Sequence, residues 1–215
     1  IEIRDNDGNY VPLNGNQTGY LLVKYVLEGH KTAGTLPEKG AMVKSIVTST
    51  LSTVICESYG VKMFETLTGF KNICGKIPYL HENGYTYLFG YEESVGYAAD
   101  ENIRDKDGIS AGMLVTEAAA YYRLHGKTLW NVLQDIYKEY GYFAEEGTNL
   151  VLEGIAGKNR ISRMMDVVAD YKPSSIAGYE VDHIIDYNHG YEDIPSQNAF
   201  RFFLKNGSWF AIRPS

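Results

Sequence analysis

Residues 85–97 read Tyr85-Thr86-Tyr87-Leu88-Phe89-Gly90-Tyr91-Glu92-Glu93-Ser94-Val95-Gly96-Tyr97. The first five are aromatic, apolar or β-branched and predict a buried strand. Two similar segments, 41–47 and 61–67, precede it, and segments with helical spacing of apolar residues separate the three. Strands that alternate with helices predict right-handed crossovers and a largely parallel sheet.

The polar residues of this stretch follow the third predicted strand, at the carboxyl edge where α/β sheets bind ligands. Alternate residues of an extended segment point the same way, so Glu92 and Ser94 are expected to share one face while Glu93 turns to the other. A carboxylate accepts hydrogen bonds from vicinal hydroxyls and a serine adds another, which suits a hexose. The residue types allow a second interpretation, in which Glu92 and Ser94 only cap the following helix.

The pattern of the chain changes near Gly141 and predicts a domain boundary there. Before it, helices are predicted from Asn14 to a stop at Gly29, over 109–124 and over 129–140. After it, strands are predicted over 149–153, 180–187, 199–204 and 209–212, with a helix over 162–169. This second part is too short for a doubly wound sheet, and its order predicts an antiparallel sheet with helices on one face.

Composition limits the partners and the compartment. The net charge of −7 over 215 residues argues against a nucleic-acid-binding surface, which needs clustered lysine and arginine. No apolar run approaches the ~20 residues of a membrane-spanning helix, so no membrane partner is expected. The two cysteines, Cys56 and Cys74, have no metal-ligand spacing, which favours the reducing cytoplasm over a disulfide framework.

Five stretches, taken together and in order, resemble the α-D-phosphohexomutase family of phosphoglucomutases and phosphomannomutases. The segment 90–96 is similar to the loop of the family that binds sugar hydroxyls, with Tyr91 as an insertion. The others resemble the start of the third domain, the loop that contacts the sugar phosphate, the segment after the sugar loop and the first part of the distal phosphate loop. They are Leu13-Asn14-Gly15-Asn16-Gln17, Thr66-Leu67-Thr68-Gly69-Phe70-Lys71, Arg104-Asp105-Lys106-Asp107-Gly108 and Arg213-Pro214-Ser215.

The resemblance implies a domain arrangement. Residues 1–12 are then the remnant of a preceding domain, 13–141 the α/β/α sugar-binding third domain, and 142–215 the fourth domain. The fourth domain is expected to be a small α+β lid with an antiparallel sheet, similar to the TATA-box-binding protein, and to be truncated at its end. Since Ile1 is not a methionine and Ser215 stands within the phosphate loop, we expect the chain to be a segment of a longer protein.

The resemblance also implies the site residues. Substrate binding is expected from Thr68, Gly69, Phe70, Lys71, Glu92 and Ser94, and phosphate binding from Arg213 and Ser215. Residue types alone would make Lys71 a solvated lysine and Arg104 and Lys106 a charged surface loop. The phosphoserine and the Asp-x-Asp-x-Asp-Arg magnesium loop of the family have no counterpart in this sequence. Catalytic and metal residues are therefore expected in the missing N-terminal domains.

The implied activity of the parent protein is interconversion of glucose 1-phosphate and glucose 6-phosphate. It would proceed through an enzyme phosphoserine and glucose 1,6-bisphosphate as intermediate, with Mg²⁺ as cofactor. The fragment itself is expected to be inactive. Phosphomannomutase and phosphopentomutase activity remain alternatives within the family, and a non-catalytic sugar-phosphate-binding module is an alternative from another class.

Overall fold

The computed structural model describes residues 1–214. The chain divides into two compact units, the first over Ile1–Glu145 and the second beginning at Glu146. Gly141, where the sequence pattern changes, immediately follows the last helix of unit 1. Residues 141–153 form neither helix nor strand and join the units.

Unit 1 contains six strands and six helices. The strands are β1 (Glu2–Arg4), β2 (Tyr10–Pro12), β3 (Gly40–Ser45), β4 (Lys62–Thr66), β5 (Thr86–Glu92) and β6 (Gly96–Ala98). The helices are α1 (Gly15–Ala33), α2 (Leu51–Ser58), α3 (Phe70–Gly75), α4 (Ile77–Glu82), α5 (Gly108–Leu124) and α6 (Leu129–Tyr140). Strands β1 and β2 form an antiparallel hairpin, and Ile3 of β1 belongs to the hydrophobic core of the unit.

The central sheet of unit 1 has the order β4-β3-β5-β6. Strand β3 runs parallel to both β4 and β5, and β6 returns antiparallel to β5. All six residues of β3 are buried, as expected of a parallel strand covered on both faces. The predicted largely parallel sheet is confirmed.

Helices cover both faces of this sheet and make unit 1 a three-layer α/β/α structure. Met42 and Phe89 lie in a core shared with residues of α1, α2, α5 and α6. Val43 and Tyr87 lie in a second core with residues of α3 and α4. The alternation of β3 residues between two apolar layers explains why this segment is apolar without a polar face.

Helix α1 begins with a capping box, in which Asn14 accepts from the backbone N–H of Gln17 at 2.8 Å. The predicted stop at Gly29 is wrong, because the helix continues to Ala33. Gly34, with φ of 68°, ends it in the left-handed conformation that glycine adopts readily. Gly29 has open space around its Cα and simply lies within the helix.

Over residues 146–214, unit 2 contains one α-helix and four strands. They are α7 (Gly154–Asp170), β7 (Ser175–Ile176), β8 (Tyr179–Asp186), β9 (Phe200–Leu204) and β10 (Trp209–Ile212), with a 3-10 turn at Tyr187–His189. The strands form an antiparallel sheet in the order β10-β9-β8-β7. Phe200, Phe202 and Met165 form its buried core with α7. The predicted fold class, a mainly parallel α/β sheet followed by a small antiparallel α+β part, is confirmed.

The strand predicted over 149–153 is wrong. Leu152 lies directly against Gly157 of α7, so the segment packs on the first turn of that helix. Because the segment packs on this helix, it does not pair with the strands of the sheet. Both cysteines are free and buried, and burial raises the pKa of the Cys56 thiol to about 12. Within residues 1–214, no helix combines the length and apolar character that crossing a membrane requires.

Candidate functional site

Three loops meet at the carboxyl edge of the parallel sheet in unit 1. They follow β3 (residues 46–50), β4 (residues 67–69) and β5 (residues 93–95). Ligands of open α/β sheets bind at this edge. Side chains at the end of β5 contact the loops that follow β3 and β4, so the edge is one connected site.

Glu92 joins two of these loops. It is the last residue of β5, is only 4% exposed, and its carboxylate accepts a hydrogen bond from the backbone N–H of Gly69. Gly69 has φ of 104°, and Asn72 donates to the carbonyl oxygen of Thr68 at 2.8 Å. The stretches 68–71 and 92–94, both expected to bind substrate, are therefore brought together.

Glu93 is held on a different loop. Its Oε2 atom lies 2.8 Å from the hydroxyl of Thr48 and 3.1 Å from the hydroxyl of Ser45. Ser45 ends β3, and both hydroxyl residues are fully buried. The two neighbouring glutamates thus fasten the end of β5 to the loops that follow β4 and β3.

The expected alternation of Glu92, Glu93 and Ser94 along one extended segment is wrong. Strand β5 ends at Glu92, and residues 93–95 form a turn before β6. Ser94 is exposed in this turn, whereas Glu92 is buried. Val95 has φ of 59°, which breaks the extended geometry on which the expectation depended.

The first turn of α1 packs tightly on the turn after β5. A Cβ atom at Gly15 would overlap the backbone carbonyl of Glu93, so only glycine fits there. Tyr97 of β6 donates from its hydroxyl to the carbonyl oxygen of Gly15 at 3.1 Å. Burial raises the pKa of Tyr97 to about 12, so this hydroxyl stays protonated at neutral pH.

Two lysines lie near this edge. Lys71 is exposed in the first turn of α3. Lys106 is exposed as well, and its ammonium nitrogen lies 5.9 Å from the centre of the Phe70 ring. Phe70 in turn lies so close to Gly96 that a Cβ there would overlap the ring. The local cations that a phosphorylated ligand needs are present at the edge.

The expected phosphate-binding residues belong to unit 2. Arg213 follows the end of β10 and is exposed. Ser215 lies outside the described residues.

Sequence reasoning missed Ser45, Thr48 and Glu93 as members of the site. A signal was present, because a fully buried strand ends at Ser45 and is followed by the hydroxyl residues Thr48, Ser49, Thr50 and Ser52. Hydroxyl-rich segments are common in loops and at helix starts, so the pattern did not indicate which side chain they would contact.

The family implies Mg²⁺, whose ligands are carboxylate and carbonyl oxygens. Among residues 1–214, no group of three or more His, Cys, Asp or Glu side chains has an arrangement that could hold a metal ion. The two carboxylates at this edge, Glu92 and Glu93, contact different loops and do not converge on one position, so they do not fit such a site.

Comparison with known proteins identifies relatives of the chain. Residues 14–140 match the family model for phosphoglucomutase/phosphomannomutase, alpha/beta/alpha domain III. The phosphoglucomutase of Staphylococcus haemolyticus strain JCSC1435 is 33% identical over 223 residues, covering 99% of this chain and 40% of that protein. That of Staphylococcus aureus strain N315 is 34% identical over 228 residues. The chain thus spans 40% of the length of these curated relatives.

A solved structure has the same fold. It is pp63/parafusin, a phosphoglucomutase from Paramecium in its open form, with a TM-score of 0.58 and 19% sequence identity. The match covers 94% of this chain and 34% of the Paramecium chain. At this identity the match is informative about the fold alone.

Proposed function

This chain belongs to the phosphoglucomutase/phosphomannomutase family, and from that membership we propose that it is the sugar-phosphate-binding part of a phosphohexomutase. The parent protein interconverts glucose 1-phosphate and glucose 6-phosphate through glucose 1,6-bisphosphate and an enzyme phosphoserine. The observation that carries this proposal is the hydrogen bond from the backbone N–H of Gly69 to the carboxylate of Glu92. It joins the stretch that resembles the sugar-phosphate loop of the family to the stretch that resembles its sugar-hydroxyl loop.

The residues have separate roles in this proposal. The exposed hydroxyl of Ser94 and the carboxylate of Glu92 hold ring hydroxyls of the hexose. Thr68, Gly69, Phe70 and Lys71 contact the sugar and its phosphate, with Lys71 supplying positive charge. In unit 2, Arg213 and Ser215 bind phosphate. Because no catalytic serine is assigned in this chain, the phosphoryl transfer belongs to residues of the parent outside it.

Mg²⁺ neutralises phosphoryl charge in enzymes of this chemistry, and we assign no step of it to the residues described here. Its ligands are proposed to lie in the preceding domains of the parent, together with the phosphoserine. We place the parent in the cytoplasm, in keeping with the buried free thiols of Cys56 and Cys74.

A titration of the isotope-labelled chain with glucose 1-phosphate, glucose 6-phosphate and inorganic phosphate tests the proposed site. Amide NMR signals of residues 68–71 and 92–96 should shift with either sugar phosphate, and less with inorganic phosphate. Ser94→Ala should weaken the response, whereas Ser162→Ala, at an exposed position of α7, should leave it unchanged. Shifts that leave residues 68–71 and 92–96 unaffected, or equal shifts of these residues with inorganic phosphate, would overturn the site.

The same samples distinguish between the candidate sugars, and between a chain that only binds the sugar phosphate and one that is active by itself. Mannose 1-phosphate is the main alternative ligand, since the matching family model covers phosphomannomutases too. A stronger response to it than to glucose 1-phosphate would favour that substrate. The chain alone should show no mutase turnover in a glucose 6-phosphate-coupled assay, and turnover would contradict the division of roles proposed here.

A further inference from the structure

The carboxylate of Glu93 takes part in a three-oxygen contact that the proposed function does not use. Its Oε2 atom, the hydroxyl of Ser45 and the hydroxyl of Thr48 are mutually within 2.7 to 3.1 Å. Each hydroxyl carries one hydrogen, so at most two of the three contacts are hydrogen bonds, and with both hydrogens used at least one of them ends on the carboxylate. The carboxylate of Glu93 is therefore bonded to protein at its Oε2 atom.

Lys44 in turn holds the loop after β3, which contacts Glu93. This lysine is fully buried, and its ammonium group donates to the carbonyl oxygen of Ser49 at 2.8 Å. It also lies 3.3 Å from a carboxylate oxygen of Glu65 on β4. Because a buried ammonium without partners is very unfavourable, these contacts hold the loop in one conformation. Glu93 is thus fastened to a rigid support.

The turn beyond Glu93 needs such a support. Val95 is a β-branched residue in the left-handed region, with φ of 59°, and the residue is 61% exposed. Non-glycine residues in this region are strained, and the conformation persists only where the surroundings enforce it. Ser94, the exposed hydroxyl of the site, stands between the fastened Glu93 and the strained Val95.

We propose that Glu93 is a positioning residue that holds the hydroxyl of Ser94 where it meets a sugar hydroxyl. This inference rests on the proposed function, since it names a residue that acts through the same site. Glu93 acts by fastening the turn to Ser45 and Thr48 and does not itself bind the ligand. Release of the turn would let Val95 relax and move the Ser94 hydroxyl, and a displacement of about 1 Å takes a hydrogen bond of ordinary length out of its effective range.

The test measures mutase kinetics of the whole protein that contains this chain, with glucose 1-phosphate as substrate. Glu93→Ala should raise KM about tenfold with kcat within about twofold, because ground-state and transition-state contacts of Ser94 weaken together. Thr48→Val should raise KM by a smaller factor, and the double variant should be no worse than Glu93→Ala. Glu93→Gln should stay close to wild type, since its amide oxygen accepts from both hydroxyls.

Glu38→Ala is the matched control, because Glu38 is exposed in the loop that precedes β3, away from the carboxyl edge. A variant that only misfolds lowers kcat through its inactive fraction and leaves KM unchanged, and that result would overturn the inference. Additive effects of Glu93→Ala and Thr48→Val on KM would overturn it as well, since Glu93 would then act independently of Thr48.

Amide hydrogen exchange of the 215-residue chain without ligand separates this inference from the proposed function. Exchange at Val95 and Gly96 should be faster in Glu93→Ala than in wild type, and unchanged in Glu38→Ala. Equal exchange in wild type and Glu93→Ala would overturn the positioning role even if the protein is a mutase. Faster exchange in Glu93→Ala than in wild type, together with a wild-type protein that shows no mutase activity, would overturn the proposed function and leave the fastening of the turn supported.

Discussion

Glycine at two positions of α1 shows how differently one residue type acts in this protein. Gly15, in the first turn, lies against the backbone of Glu93 and Val95 in the candidate site. Gly29, in the last third of the same helix, has nothing within 4 Å of an added Cβ. The first glycine is needed for close backbone approach, whereas the second only lowers helix propensity.

Substitution by alanine should therefore have opposite effects at these two residues. Gly15→Ala forces the turn after β5 to move and should destabilise unit 1 by about 1–3 kcal/mol. Gly29→Ala should stabilise it by about 0.5–1 kcal/mol. Urea unfolding of both variants checks this, with far-UV circular dichroism as the signal. Equal stability of Gly15→Ala and wild type would contradict the close approach.

At the scale of the element, helices α1, α5 and α6 each begin at a polar residue whose side chain accepts from their first backbone N–H groups. Asp107 caps α5 and accepts from the backbone N–H groups of Ile109 and Ser110 at 2.9 and 3.1 Å. Hydrogen bonds from the Ser110 side chain and from these two N–H groups hold the pKa of Asp107 below 3.8. The cap thus lies within residues 104–108, the stretch that resembles the segment after the sugar loop of the family.

The depressed pKa of Asp107 makes the cap dependent on pH. The folded state binds the proton less readily than the unfolded state, so the stabilisation is present above the ordinary value near 3.8 and is lost as pH falls through the folded pKa. The difference in melting temperature between wild type and Asp107→Asn should shrink below about pH 4, because asparagine caps without titrating. A difference that stays constant down to about pH 3 would contradict this assignment.

At the scale of the whole molecule, the segment that joins the two units begins at a residue that hydrogen bonds hold in place. Glu145, the last residue of unit 1, accepts from the side-chain amide of Asn16 at 2.7 Å and from the hydroxyl of Tyr20 at 2.6 Å. Asn16 also accepts from the backbone N–H of Ser49, in the loop that supports Glu93. The residues that follow, 146–151, are exposed and have no regular structure.

Limited proteolysis should show that Glu145 holds the start of this segment in place. A protease that cuts after aromatic residues and leucine should cleave first after Leu150, which is 59% exposed, and slowly after Phe143. Glu145→Ala should speed cleavage after Phe143 about tenfold, the equivalent of about 1.4 kcal/mol of lost hydrogen bonding. Glu146→Ala, which changes the exposed neighbouring residue, is the control and should cleave as wild type does. Equal rates for the two variants would show that Glu145 does not hold the segment.

The elements that were predicted well are those whose apolar pattern is strong and local. Strand β3 and helix α6 are examples, because continuous burial and a clear amphipathic face each leave one interpretation. The errors fall where a local signal competed with packing. Gly29 did not end α1, and residues 149–153 pack on α7 instead of forming a strand. Short helix α4 and strand β7 were missed because six and two residues carry little periodic signal.

The sequence by itself determined the fold class, the order of the elements with a strong apolar pattern and the stretches 68–71 and 92–94 of the candidate site, because hydrophobic period and short motifs are local properties. Only the tertiary structure decided what each polar side chain contacts. Glu92 and Glu93 are adjacent and chemically identical, yet one accepts from Gly69 and the other lies against Ser45 and Thr48. The turn at Val95 and the neighbouring loops select these partners, and loops distant in sequence meet only once the sheet has formed.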